Sequence, residues 1–128
     1  MDVFFQDPHE TRLPPHQVRI RALTVEPYPD GRRARLSVEV DPFEKRPSFD
    51  IVVRASNGDE VVQTTIIETM TRRLEVTLHL RLPVPPPQTA FTAIVTLFYA
   101  PQVSPEDPRL PERTIVDQRE ITFDLPVP

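Results

Sequence analysis

Cysteine does not occur in this chain. Disulfides and thiolate metal sites are therefore excluded, and the signal that usually separates oxidising from reducing compartments is missing. Glycine occurs only at Gly31 and Gly58. That excludes a glycine-rich phosphate loop and flexible glycine linkers. No stretch approaches the ~18 consecutive apolar residues of a membrane-spanning helix. The opening residues, Met1-Asp2-Val3-Phe4-Phe5-Gln6-Asp7-Pro8, lack the basic and apolar regions of a secretory signal, so a soluble cytoplasmic protein is expected. Lysine is nearly absent: Lys45 stands alone among 15 basic residues, the rest being arginine. Genome composition or a warm habitat accounts for such a bias, as does a use for forked guanidinium hydrogen bonds. The net charge of −4 favours solubility and argues against bulk nucleic-acid binding.

What is abundant is proline, with 17 residues in a chain of 128. High proline beside low glycine means stiff loops and a less entropic unfolded chain. A chain of this length is one ordinary domain and can bury roughly two thirds of its unfolded surface. Pro8, Pro14 and Pro15 keep residues 1–16 irregular, so this stretch is expected to be an arm, docked through Phe4 and Phe5 or loose. Residues 17–128 are expected to form a single domain.

From Gln17 onward, apolar and polar residues alternate with period two. Val18, Ile20 and Ala22 are expected inward, then Leu23 and Val25 out of phase, with a bulge near Ala22-Leu23. Pro29-Asp30-Gly31 reads as a tight turn, and Ala34, Leu36, Val38 and Val40 resume the inward set. Phe49, Ile51, Val53 and Ala55 follow, then the hairpin signal Asn57-Gly58. The run Val61 to Glu68 is apolar on both faces, so its orientation stays open. Leu74, Val76, Leu78, Leu80 and Leu82 form the clearest alternation. Phe91, Ala93, Val95, Leu97 and Tyr99 lie on one face of the next strand, and Thr92, Ile94, Thr96 and Phe98 on the other. A strand apolar on both faces is central or covered. The last strand ends in Ile121, Phe123 and Leu125, and its first half, Thr114 to Arg119, breaks the alternation as a bulge would. No window carries a capped 3.6-residue period. The expected fold is all-β: a two-sheet antiparallel sandwich of about seven strands with little or no helix.

Over about residues 17–125 the pattern resembles the immunoglobulin-like and fibronectin-type-III-like families. The strand count, the first hairpin and a penultimate strand, Phe91 to Tyr99, ending in an inward tyrosine carry the resemblance. The chain lacks the cysteine pair and the core tryptophan of true immunoglobulin domains. The resemblance implies that the first, second and fifth strands share one sheet and the remaining four the other. It implies no activity, since fold does not fix function.

Residues that carry chemistry are sparse. The serines, Ser37, Ser48, Ser56 and Ser104, lie in no nucleophile-elbow setting. His9 and His16, with Glu10 between them, match no standard zinc spacing, and His79 reads as surface. The carboxylates Asp41, Glu44, Glu106 and Asp107 form no calcium-loop run. The expectation is a non-enzyme without cofactor or metal. Two surfaces stand out. Val52, Ile94 and Phe98 would make one sheet face apolar enough to bind a protein partner or a second copy, unless Phe4 and Phe5 cover it. Arg19, Arg21, Arg33, Arg35, Arg73 and Arg81 would line the other face, either as a polyanion-binding surface or as cross-strand ion pairs with Glu39 and Glu75. A module for protein–protein contact or self-association within a larger assembly is the leading expectation. A polyanion-binding module is the alternative, with nucleic acid disfavoured by the acidic total and no membrane role.

Overall fold

The structure is a computed structural model, and residues 11–82, 90–100 and 113–126 are described. Phe4, Phe5 and His9 lie outside them, as do Glu106, Asp107 and the prolines from Pro83 to Pro87 and Pro101 to Pro111.

The described residues form seven strands, β1 (Ile20–Pro27), β2 (Arg33–Val40), β3 (Ser48–Ala55), β4 (Glu60–Ile66), β5 (Arg73–His79), β6 (Ala90–Tyr99) and β7 (Thr114–Asp124). They form a three-stranded sheet, β1-β2-β5, and a four-stranded sheet, β4-β3-β6-β7. Every pairing is antiparallel. The sheet assignment that the resemblance implies is the one observed. Among the described residues the one other regular element is a 3-10 turn at Pro15–Gln17, and no described helix is long and apolar enough to cross a membrane.

Alternation builds each sheet. In β2, Ala34, Leu36 and Val40 are fully buried while Arg33, Arg35, Ser37 and Glu39 point outward. Phe49, Ile51 and Val53 of β3 meet Leu97, Val95 and Ala93 of β6 across the register, all fully buried. Each such large side chain contributes roughly 1.5–3 kcal/mol by leaving water. Phe91 and Phe123, register partners, add a stacked pair at 5.7 Å.

Two irregularities were expected, and one is displaced. The register shift in β1 falls between Ile20 and Ala22, one residue earlier than the pattern indicated. Ala22 is consequently exposed, and Leu23 and Val25 turn toward the core. The β7 shift falls opposite Leu97 and Phe98, within the stretch where alternation broke. The open question in β4 is settled by its partner: Val62, Thr64 and Ile66 share the inner face with Val53, Ile51 and Phe49, and Val61, the extra residue of an unexpected bulge, packs on the core beside them.

Turn chemistry fits the hairpins. Gly31 takes φ 70° and Gly58 φ 94°, the left-handed region open to glycine at little cost. Gly58 N–H donates to Ala55 O at 2.9 Å and Ala55 N–H to Asp59 O at 2.8 Å, which makes a three-residue loop. Asp30 Oδ1 accepts from the Arg32 and Arg33 amides, and these bonds, with the Arg33 guanidinium, hold its carboxyl below the usual range.

Along one side the sheets are closed by carboxylates. Ile20 N–H donates to Asp117 Oδ2 of β7 at 2.9 Å, and Arg19 N–H to Asp41 Oδ2 at 3.0 Å. The arm is pinned at the same end. Leu13 N–H donates to Pro42 O and Glu44 N–H to Leu13 O, forming a parallel bridge between Leu13 and Phe43. Leu13 thereby packs on the core.

Candidate functional site

The outer face of the three-stranded sheet carries the arginines the sequence pointed to, and the register sets carboxylates among them. Glu26 lies opposite Arg35, which pairs with it at 2.5 Å. Glu39 lies opposite Arg73, paired at 3.0 Å. Arg21 reaches Asp41 at 2.8 Å and Arg33 reaches Asp30 at 2.6 Å while lying over the Tyr28 ring. Arg19 donates to the His16 and Val18 carbonyls. Arg81 falls just beyond β5 and is exposed. Pairing with their carboxylates raises the Arg21 and Arg35 guanidiniums further above their ordinary range. Exposed pairs of this kind are screened by water and add little stability, but they balance the face electrically. Phosphate recognition needs clustered cations with uncommitted donors, and the register distributes these donors among neighbouring acids and carbonyls.

The outer face of the four-stranded sheet is banded. One row across it reads Gln63, Val52, Ile94, Glu120. The next reads Thr65, Asp50, Thr96, Gln118. The row at the Tyr99 end holds Ser48, Phe98 and Ile115. Polar contacts fill the middle row: Thr65 Oγ1 donates to Asp50 Oδ1 at 2.7 Å and Gln118 Nε2 to Thr96 Oγ1 at 2.8 Å. Val52 and Ile94 are thus half-buried between polar rows. Phe98, expected as an exposed anchor, is only 5% exposed. Arg113 lies over its ring at 4.5 Å, held there by an ion pair with Asp50.

Other side chains supply the exposed apolar surface among the described residues. Ile115, beside Phe98, is 56% exposed, and Ile67 and Met70, in the crossover from β4 to β5, are 66% and 42% exposed. Between the last two, Glu68 adopts φ 46°, a costly conformation for a residue with a side chain. Its N–H donates to Ser48 Oγ and Thr69 N–H to Pro47 O, which anchors the crossover. A hollow of about 370 Å³ opens beside Ile115, lined by Pro15, His16, Tyr99, Thr114 and Val116. At its base Tyr99 OH donates to Lys45 O at 3.1 Å, and burial pushes the phenol up to about 12. Ile115 and Arg113 were missed because they lie where the strand pattern breaks. Ile67 had a signal in the pair Ile66-Ile67, of which only one member can face inward.

His16 is exposed on the 3-10 turn. Among the described residues no group of three or more His, Asp or Glu is placed to hold a metal.

No protein-family model matches the chain, and no curated protein matches it. Solved structures do. The chain is similar to part of a β-glucuronidase from Bifidobacterium dentium, solved with coumarin-3-O-glucuronide, at 17% identity and a TM-score of 0.54. The match covers 84% of this chain and 18% of that one. A β-glycosidase from Bacteroides vulgatus matches over 84% of this chain and 13% of its own, at 15% identity and a TM-score of 0.47. A β-glucuronidase from Lactobacillus rhamnosus matches over 85% and 16%, at 14% identity and 0.46. At these identities the first likeness shows a shared β-sandwich fold. The chain spans less than a fifth of the length of that glucuronidase.

Proposed function

We propose that this chain is an immunoglobulin-like β-sandwich module that acts by protein–protein contact rather than by chemistry of its own. The strand order β1-β2-β5 over β4-β3-β6-β7 supports the immunoglobulin-like reading. The contact surface is the outer side of the four-stranded sheet toward Tyr99. Ile115 is its protruding element, Val52 and Ile94 lie behind it, and Phe98 sits beneath Arg113. The carrying observation is Ile115 itself, 56% exposed beside an apolar hollow of about 370 Å³. An apolar side chain projecting next to a concavity, with polar rows around it, has the layout of an interface core inside a polar rim. The same fold forms a small portion of a glucuronidase chain, which supports reading it as one domain or subunit of a larger assembly.

Photo-crosslinking tests this directly. A photoreactive residue at Ile94 or Ile115 should yield a discrete higher-mass adduct in cells. One at Thr77, on the outer face of the other sheet, should not. Mass spectrometry of the adduct separates a second copy from a different protein. If positions 94 and 115 give no more adduct than position 77, the reading fails.

A further inference from the structure

Four strands lie at sheet edges: β1, β5, β4 and β7. An edge strand presents unpaired backbone N–H and C=O groups, and natural sheets blunt such edges with charges, prolines, bulges or cover. Three of these edges carry such devices along most of their length. β1 has a bulge, Pro27 and the Asp117 carboxylate on the Ile20 amide. β5 alternates Arg73, Glu75 and His79 outward. β7 has its own bulge and carries Asp117, Arg119, Glu120 and Asp124.

β4 has one bulge, at Val61, and its one charge, Glu60, lies before it; beyond that bulge the strand has none of these. From Val61 through Ile67 it reads Val-Val-Gln-Thr-Thr-Ile-Ile, without charge or proline, a composition that pairs readily with another strand. Among the described strands only β3 pairs with it. Three strands face four, so β4 overhangs the opposite sheet. Its inner residues Val62, Thr64 and Ile66 are accordingly only half-buried, whereas their register partners in β3 are fully buried. The free stretch is also bounded. Arg81 N–H occupies the Val61 carbonyl at 3.0 Å, and the left-handed turn at Glu68 ends the strand on the other side.

We propose that β4 pairs antiparallel with β4 of a second copy of this chain, about a two-fold axis at Thr64. The two four-stranded sheets would then continue as one. The bounded stretch, 62–66, is centred on Thr64, and the sequence is self-complementary about that point. Val62 meets Ile66 on the inner face, Gln63 meets Thr65 on the outer face, and Thr64 meets its own counterpart. This isologous arrangement closes on itself and covers the half-buried row on both copies. Charges at the ends are compatible: Glu60 of one copy arrives opposite Glu68 of the other, where Arg46 stands 3.5 Å from the Glu68 carboxylate and can serve both acids. This edge is distinct from the Ile115 surface, and the two stand or fall separately.

The test is sedimentation of the full chain across a concentration series. The wild type should show a reversible monomer–dimer equilibrium. Gln63 is exposed, so Gln63→Lys and Gln63→Glu should fold as the wild type does, with unchanged circular dichroism. Each places like charges on diagonal neighbours across the axis and should weaken the dimer about tenfold or more. Mixing the two variants should restore association at wild-type strength, which misfolding would not allow. Ile115→Arg should leave this dimer intact. A wild type that stays monomeric throughout overturns the proposal, as does a dimer lost on Ile115→Arg and indifferent to both changes at Gln63.

Discussion

Asp117 joins the two sheets, and its removal has a cost that the geometry allows to be estimated. Its Oδ2 accepts from Ile20 N–H at 2.9 Å and its Oδ1 from Gln118 N–H at 2.9 Å. The two donors are not equivalent. Gln118 is exposed, so its amide can turn to water when the carboxylate is gone. Ile20 is fully buried and lies opposite Val40 beside the β1 bulge, with its amide turned to Asp117 of the other sheet. In Asp117→Ala the Ile20 amide loses a charge-assisted bond and is left unsatisfied, which costs about 2–3 kcal/mol. For a domain of this size that is a fall in Tm of roughly 6–15 °C. Asp117→Asn keeps an acceptor and should lose less than half as much. Urea denaturation gives the free energies, and hydrogen exchange at the Ile20 amide reports the local opening, which should speed up in Asp117→Ala. An Asp117→Ala protein within 0.5 kcal/mol of wild type, or one whose Ile20 amide stays as protected, would refute the reasoning.

Gly58→Ala separates backbone strain from crowding: nothing lies within 4 Å of the position a Cβ would take, yet φ is 94°. The expected loss is about 1 kcal/mol, the left-handed penalty less the reduced freedom of the unfolded chain. A urea midpoint at or above that of wild type would contradict it. The alkaline limb of stability tests the burial of Tyr99. Its folded value of about 12 lies above the ordinary 10.0, so between these values the unfolded chain releases a proton that the folded one keeps. The contribution is fully present below pH 10, and stability then falls by up to about 1.4 kcal/mol per pH unit until the folded group ionises. Tyr99→Phe should abolish that component of the slope, and phenolate absorbance of the folded protein should show a tyrosine titrating near 12.

How far the sequence could be read depended on whether a feature is local. In β2, residues one apart differ only in which face they meet, so Arg33 through Val40 declared its orientation at once, and β5 did the same. In β4 the pattern was ambiguous for a physical reason. A bulge at Val61 lets Val61 and Val62 both pack on the core, and at the other end, where the strand overhangs the opposite sheet, Ile66 faces in while Ile67 lies exposed. The β1 bulge was displaced by one residue because Ala22 is small enough to be tolerated on either side. The arginine-to-carboxylate pairings needed the register, since Glu39 and Arg73 are far apart in sequence and opposite only once β2 and β5 align. The cover over Phe98 was out of reach altogether. It depends on Arg113 crossing to Asp50 from a segment that no alternation marks.

The same mismatch of strand number that blurred β4 also gives the sandwich two unlike sides. On one side β1 and β7 lie together, and two carboxylates, Asp41 and Asp117, supply acceptors for the amides of Arg19 and Ile20. That side is chemically finished: its edges are kinked, charged and tied to each other. On the other side β4 projects past β5, and beyond its bulge at Val61 the row Val62, Thr64 and Ile66 is half-buried and the edge uncharged. The crossover leaving β4 holds Ile67 and Met70 in water through a strained Glu68. Strain and exposed apolar area both cost stability and are retained where surrounding contacts or function hold them. Strain and exposed apolar side chains thus coincide beside the proposed β4 seam, whereas Ile115 is exposed on β7 at the other edge of the same sheet without such strain, which is why the two proposed contacts call for separate tests.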